Sequence, residues 1–201
     1  MEFRIDLHVH TKRYSGCAEF LEPTSIAKYA VVVGLDAVVL TEHDWLWERL
    51  EIEELARRST GIRFFRGMEC SARGCHILLI GLQEAAPFHR GISPEKAIEL
   101  AHGQGAVAIL AHPFRDSDPW RLPVKSFDAI EVNSTSFHGD DSDRAQALAD
   151  AFHLPQVAAG DAHALSRIGW ACTVFERRPR NEEELAAMIR AGRCRAVADH
   201  R

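Results

Sequence analysis

The stretch Asp6-Leu7-His8-Val9-His10-Thr11 constrains this chain more than any other. It closes a short apolar run, Phe3-Arg4-Ile5, and reads as the end of a β-strand. Alternate side chains of a strand face the same way, so the pattern predicts Asp6, His8 and His10 on one face and Leu7 and Val9 on the other. Neighbours on one face lie roughly 7 Å apart, which lets two imidazoles reach one cation from either side. Four further clusters of ligand-type residues follow, each after an apolar run. That recurrence argues for a metal centre over a pair of surface histidines.

The recurring order is apolar run, polar cluster, helical segment. Strands are predicted to close on His10, to cover Asp36–Leu40 with Thr41–Asp44 at the end, and to run from Arg63 to Cys70. Others are predicted over His76–Gly81, Ala106–Leu110, Ala129–Asn133 and Gln156–Ala159, with a short one over Cys172–Phe175. Helices are predicted from Pro23 to Gly34, Glu48 to Ser59, Ser93 to Gln104, Ser142 to His153 and Asn181 to Arg190. Proline near a helix start and glycine past its end mark several of these limits. The link from Phe114 to Asp128, rich in Pro and Asp, reads as a loop. Strands that mostly alternate with helices predict a parallel α/β fold. Polar clusters at strand carboxyl ends suit either a β/α barrel or an open doubly wound sheet. Candidate ligands from several strands meeting at one place favour the closed barrel.

The 201 residues suffice for a single domain, 1–201, with a sizeable core. A formal net charge of −5 argues against a general electrostatic grip on long nucleic acid. Five cysteines without paired spacing point to reduced thiols and a cytoplasmic location. No signal peptide or membrane-length apolar run is expected.

The candidate metal-ligating residues are His8, His10, His43, Glu69, His76, His112, Asp161 and His163. This mixture of imidazole and carboxylate suits zinc, manganese or iron and offers no all-oxygen cage for calcium. The ordered set resembles the PHP family, the polymerase and histidinol phosphatase domains. The resemblance is carried by Asp6–Thr11, Thr41–Asp44, Gly67–Glu69, His76, Ala111–Pro113 and Gly160–His163, and covers nearly the whole chain.

The resemblance implies a distorted seven-stranded (β/α)7 barrel of the PHP type, with two or three divalent ions (Zn, Mn or Fe) at its carboxyl-end mouth. It implies that His8, His10, Glu69 and Asp161 hold one ion. Glu69 would bridge to a second, held also by His76 and His112, and His43 and His163 would belong to a third. Many members with three metals place another ligand, Asp or His, a few residues past the His-x-His pair. Tyr14-Ser15-Gly16 stands there in this chain, and Ser15 is a poor ligand. The third ion is therefore expected either to be weak, leaning on water or substrate phosphate, or to be absent, and Ser15→Asp is expected to tighten it.

Two cations bridged by a carboxylate, roughly 3.5–4 Å apart, make a shared water into hydroxide near neutral pH. The expected activity is that of a metal-dependent phosphoesterase: a metal-bound hydroxide attacks a small phosphomonoester or nucleotide-like phosphate. Alternatives within the enzyme class are a 3′-end exonuclease or nucleotide phosphodiesterase, and a histidinol phosphatase. A non-catalytic metal-binding interaction module is the alternative from another class, and the nearly complete ligand set counts against it. Asp6 is expected to orient a histidine from behind, and Asp44 to do the same or to cap a helix. Arg115 and Arg167, and secondarily Lys12 and Arg13, are expected to hold phosphate. Asn133 would bond substrate or fix a loop, and Trp45 and Trp47 would wall the mouth or pack in the core. Cys70 reads as a packed thiol. His89, His102, His138, His153 and His200 are expected at the surface.

Overall fold

The computed structural model describes residues 2–18, 20–115 and 117–198. Nine strands run in chain order: β1 (Phe3–Val9), β2 (Ala37–His43), β3 (Arg63–Ala72), β4 (Cys75–Ile80), β5 (Val107–Leu110), β6 (Ala129–Asn133), β7 (Gln156–Ala158), β8 (Ala171–Phe175) and β9 (Cys194–Ala198). Five helices accompany them: α1 (Pro23–Val32), α2 (Arg49–Arg58), α3 (Pro94–Gly103), α4 (Asp141–Phe152) and α5 (Glu182–Arg190). The helix limits fall within two residues of expectation because local chemistry sets them. Pro23 opens α1, Glu48 and Glu51 form a reciprocal capping box on α2, and Asn181 accepts the Glu184 N–H at 2.9 Å to open α5.

The strands form one sheet in the order β7-β6-β5-β4-β3-β2-β1-β8-β9. The expectation of seven parallel strands is thereby corrected to nine strands of mixed direction. β4 runs antiparallel to both β3 and β5, and β8 antiparallel to both β1 and β9. The cause at β4 is local. β3 continues to Ala72, turns through Arg73 and Gly74, where Gly74 has φ +78°, and returns at once. Parallel neighbours need a long crossover, and a two-residue turn permits only the antiparallel return. β9 was not expected at all. Its residues are only half-buried and Arg195 interrupts it, so no apolar run announces it.

The sheet curls until it is nearly closed, with β9 packed beside β7. The Ala158 N–H donates to Thr173 Oγ1 at 3.0 Å, and that hydroxyl donates to the Ala158 carbonyl at 2.8 Å. Nearer the mouth, Val9 and Ala162 form an isolated parallel bridge. Inside lies a cluster that includes Ile5, Leu7, Val39, Phe65, Leu78 and Ile109, and Leu185, Met188 and Ile189 of α5 plug one end of it. α1 and α2 cover β1 and β2 from outside, and α3 and α4 cover the β3–β6 side. No helix among the described residues is long and apolar enough to cross a membrane.

β1 departs from simple alternation. Its pairing with β2 shifts by one residue between Asp6 and Val9. Ile5 and Leu7 lie in the inner cluster, whereas Val9 packs in the outer layer with Ile26 and Leu40. A β-bulge of this kind re-aims side chains beside functional sites. It turns His8 and His10 into the mouth and leaves Asp6 on the other side of the strand, which corrects the expectation that all three share one face.

Candidate metal centre

The bulged end of β1, the ends of β2, β5 and β7, the middle of β3 and the start of β4 meet at one mouth. His76 joins them although it begins its strand, because β4 runs opposite to its neighbours. Glu69 is the hub. Its Oε1 lies 2.8 Å from His76 Nδ1 and 3.1 Å from His112 Nε2. Its Oε2 lies 2.9 Å from His43 Nδ1, 3.2 Å from His10 Nε2 and 3.4 Å from His8 Nε2. Asp161 Oδ1 completes the buried side, 3.4 Å from His8 Nε2, 3.5 Å from His10 Nε2 and 3.5 Å from His163 Nδ1. All eight expected ligand residues are thus brought together.

Three donor groups have their ligand atoms within 4.8 Å of one another: His8, His10 and Glu69; Glu69, His76 and His112; and His10, His43 and His163. Among the described residues, the buried atoms His8 Nε2, His10 Nε2, His43 Nδ1, His76 Nδ1 and Glu69 Oε2 find no hydrogen-bond partner despite their proximity. A buried polar atom left unsatisfied costs roughly 1–3 kcal/mol. Five such atoms converging on shared points fit divalent cations, whose coordination would satisfy them together.

Beneath these donors lie two buried carboxylates to which sequence reasoning gave no role. Glu131 Oε1 lies 3.2 Å from His8 Nδ1, and its Oε2 accepts the His112 backbone N–H at 2.6 Å. The signal was a charge inside the apolar run Ala129-Ile130-Glu131-Val132. Glu42 accepts from the Thr11 N–H (3.1 Å), the Thr11 hydroxyl (2.5 Å), the Ser15 hydroxyl (2.5 Å) and Trp47 Nε1 (3.0 Å).

Asp6 meets three backbone N–H groups, those of His8 (3.2 Å), Gly160 (2.7 Å) and Gly169 (2.9 Å), and no imidazole nitrogen among the described residues. It secures the turn that carries Asp161, where it was expected to orient a histidine ring. Gly160 is required there, because a Cβ would stand 2.5 Å from Asp6 Oδ2 and 2.7 Å from the Arg167 carbonyl. Among the described residues Asp44 neither caps α2, which Glu48 does, nor backs a histidine; it accepts the Ser71 N–H at 2.7 Å. Asp44, His112 and Asp161 all hold positive φ, at 52°, 25° and 45°. Backbone strain of this type gathers at functional sites.

The charges shape one another. Burial pushes Glu69 up, but His8, His10, His112 and His43 together hold it well below the usual carboxylate range. Asp161 is likewise lowered against burial, by His8 and His10. Burial disfavours a charged His8, yet Asp161, Glu69 and Glu131 raise it well above its ordinary value. Burial and the neighbouring His10 push His163 down to about 4. Burial raises Asp6 to about 6 against the three N–H groups that favour its charge. Burial also pushes the Cys70 thiol up to about 12, as suits a packed thiol.

Arg115 and Arg167 border one cavity of about 290 Å³ together with Asp161, His163, Thr135 and His138. Arg115 bonds Asp161 Oδ2 at 3.0 Å. Lys12 pairs with Glu22, and Arg13 with Glu51. Asn133 bonds Ser142 Oγ at 3.3 Å and fixes a loop. Trp47 is buried, whereas Trp45 is 46% exposed and stacks on Tyr14. His102 pairs with Asp128, His89 bonds the Arg90 carbonyl, and His153 ends α4 in a left-handed turn. His200 lies outside the described residues.

These strands build a barrel-like α/β sheet with a buried cluster of histidines and carboxylates at one mouth. A PHP-associated family model matches residues 139–194. An uncharacterized protein of Methanocaldococcus jannaschii is 33% identical over 120 residues, 55% of this chain and 68% of its own. The chain belongs to the PHP family. Among solved structures, PsfC of Pseudomonas syringae superposes with a TM-score of 0.75 at 18% identity, over 98% of this chain and 92% of its own. The lesion-specific endonuclease PfuEndoQ of Pyrococcus furiosus gives 0.64 at 20% identity, over 98% of this chain and 58% of the endonuclease. A provisionally assigned metal-dependent phosphoesterase of Bifidobacterium adolescentis gives 0.62 at 16% identity, over 80% and 87%.

Proposed function

We propose that this chain is a metal-dependent phosphoesterase acting on small phosphomonoesters or nucleotide-like phosphates. The observation that carries the reading is Glu69, whose two oxygens sort the surrounding histidines into two sets. In this reading His8, His10, Glu69 and Asp161 hold one ion, and Glu69, His76 and His112 hold a second. His43 and His163 stand towards a third. Bound divalent cations would supply hydroxide near neutral pH and neutralise phosphate oxygens, chemistry that depends mainly on positioning and charge. Arg115 and Arg167 receive the phosphate in the cavity beside Asp161. His163, held neutral at physiological pH, offers a lone pair and adds no cation.

The fold shared with a lesion-specific endonuclease favours a second reading, in which the ester is a nucleic-acid phosphodiester. One experiment separates the readings. The chelated protein is titrated with Mn or Zn and assayed on p-nitrophenyl phosphate, bis(p-nitrophenyl) phosphate, mononucleotides and a labelled oligonucleotide. Phosphate release from monoesters at two ions per chain supports the first reading. Cleavage confined to the oligonucleotide supports the second. Tight metal binding with no hydrolysis of any ester would leave a non-catalytic metal-binding module.

A further inference from the structure

We infer that Ser15 is a positioning residue: Glu42, Ser15 and His10 form a relay that fixes the tautomer of His10, leaving Nε2 bare towards the cation. The inference rests on the proposed metal site and goes beyond it. Ser15 is buried, and its hydroxyl carries a single proton. That proton goes to Glu42 Oε2, 2.5 Å away. Indole and amide N–H groups can only donate, and those of Trp47 and Thr11 point at the same carboxylate. Glu42 is thus placed to accept on both oxygens. With its proton spent, Ser15 Oγ can only accept from its other neighbours, His10 Nδ1 at 3.3 Å and the His43 backbone N–H at 3.4 Å. Nδ1 must then carry the hydrogen of a neutral His10, and the lone pair falls on Nε2. That atom faces Glu69 Oε2 and Asp161 Oδ1.

His8 reaches the same state by a shorter route, with Glu131 directly on its Nδ1 at 3.2 Å. The serine is therefore no vacancy in a ligand set. It adapts a distant carboxylate to an imidazole. Ser15→Asp would set a second carboxylate against Glu42 in a buried space, so it should weaken metal binding. This reverses the expectation drawn from the sequence.

The test titrates zinc into the metal-free full chain and its Ser15→Ala, Ser15→Thr and Ser15→Asp variants, with circular dichroism confirming the fold of each. Long-range ¹H–¹⁵N spectra of the zinc-loaded parent report the His10 tautomer and need no variant. The expected result is a proton on His10 Nδ1. Ser15→Ala should lose about tenfold to hundredfold in affinity at the ion that uses His10, while the ion at Glu69, His76 and His112 binds as before. Ser15→Thr, which keeps a hydroxyl, should recover most of the loss. Parent-like zinc affinity in Ser15→Ala, or a proton on His10 Nε2, would overturn the relay and leave the metal site standing. A parent that binds no zinc would overturn the metal site itself, and the relay with it.

Discussion

The two depths of the site are built differently. On the floor, His8, His10 and His112 are buried, and each is held from behind: His8 and the His112 backbone by Glu131, His10 by Ser15. At the rim, the His43, His76 and His163 side chains are 28%, 29% and 21% exposed. Among the described residues, the carboxylates within ion-pair reach of these three are Glu69 and Asp161, which belong to the cluster itself. The floor is preorganised by groups outside the cluster, whereas the rim imidazoles rely on the cluster they complete. Donors fixed in advance bind an ion without rearranging, and donors free to turn can admit and release one.

The largest effect should come where floor and rim join. Glu69→Gln removes charge from both sets, stripping one partner from buried charges costs roughly 3–5 kcal/mol of stability, and all hydrolysis should go with the ions. Metal analysis should show both ions gone, and a variant lacking only one would argue against the shared carboxylate. His8→Ala or His10→Ala should lose the floor ion and all hydrolysis, so full activity in either would sink the floor assignment.

Glu131→Gln is milder. The amide keeps the volume but brings an NH₂ to either His8 Nδ1 or the His112 N–H, and floor affinity should fall about tenfold to hundredfold. If zinc titration finds the rim weakened instead, Glu131 does not serve the floor.

A third effect lies under the floor and is read in the metal-free protein. Asp6 is raised to about 6 from an ordinary 3.8. Between those values the folded chain keeps a proton that the unfolded chain has released, so stability falls as pH rises through the window. At about 1.4 kcal/mol per pH unit the total is about 3 kcal/mol. Between pH 4 and 6 the urea stability of the parent should fall by about 3 kcal/mol relative to Asp6→Asn, the opposing slope from the lowered His163 being common to both; equal slopes would assign the effect elsewhere. The smallest effect is expected at the rim, where His163→Ala should leave the floor ion bound and cost less than about tenfold in its affinity, below the range for a supporting residue. Loss of the floor ion in that variant would erase the distinction between the two depths.

The candidate ligand residues were legible because apolar runs ending in histidine or carboxylate are rare unless something gathers them. Helix limits were legible from Pro23, Ser93 and Asn181, whose chemistry acts within one turn. Direction was not. A strand pattern is the same read up or down, so β4 showed its reversal only through the brevity of Arg73-Gly74. The supports were hidden for a related reason. Glu42 sits in the same short motif as His43, yet its partners Thr11 and Ser15 are 31 and 27 positions away. Asp6 seemed to belong with the histidines because period-two counting assumes an unbroken pleat.

The bulge in β1 makes the function of the histidine pair a question of parity. His8 and His10 stay two residues apart in any extended strand, so they always point the same way; the count of residues before them decides which way. Leu7 is the odd residue that sets this count. Inserting one alanine between Leu7 and His8 would change no ligand and no spacing within the pair. Alternation from the inward-facing Leu7 would point that alanine outward and keep both imidazoles in the mouth, so the added residue would do by parity what the bulge does by distortion.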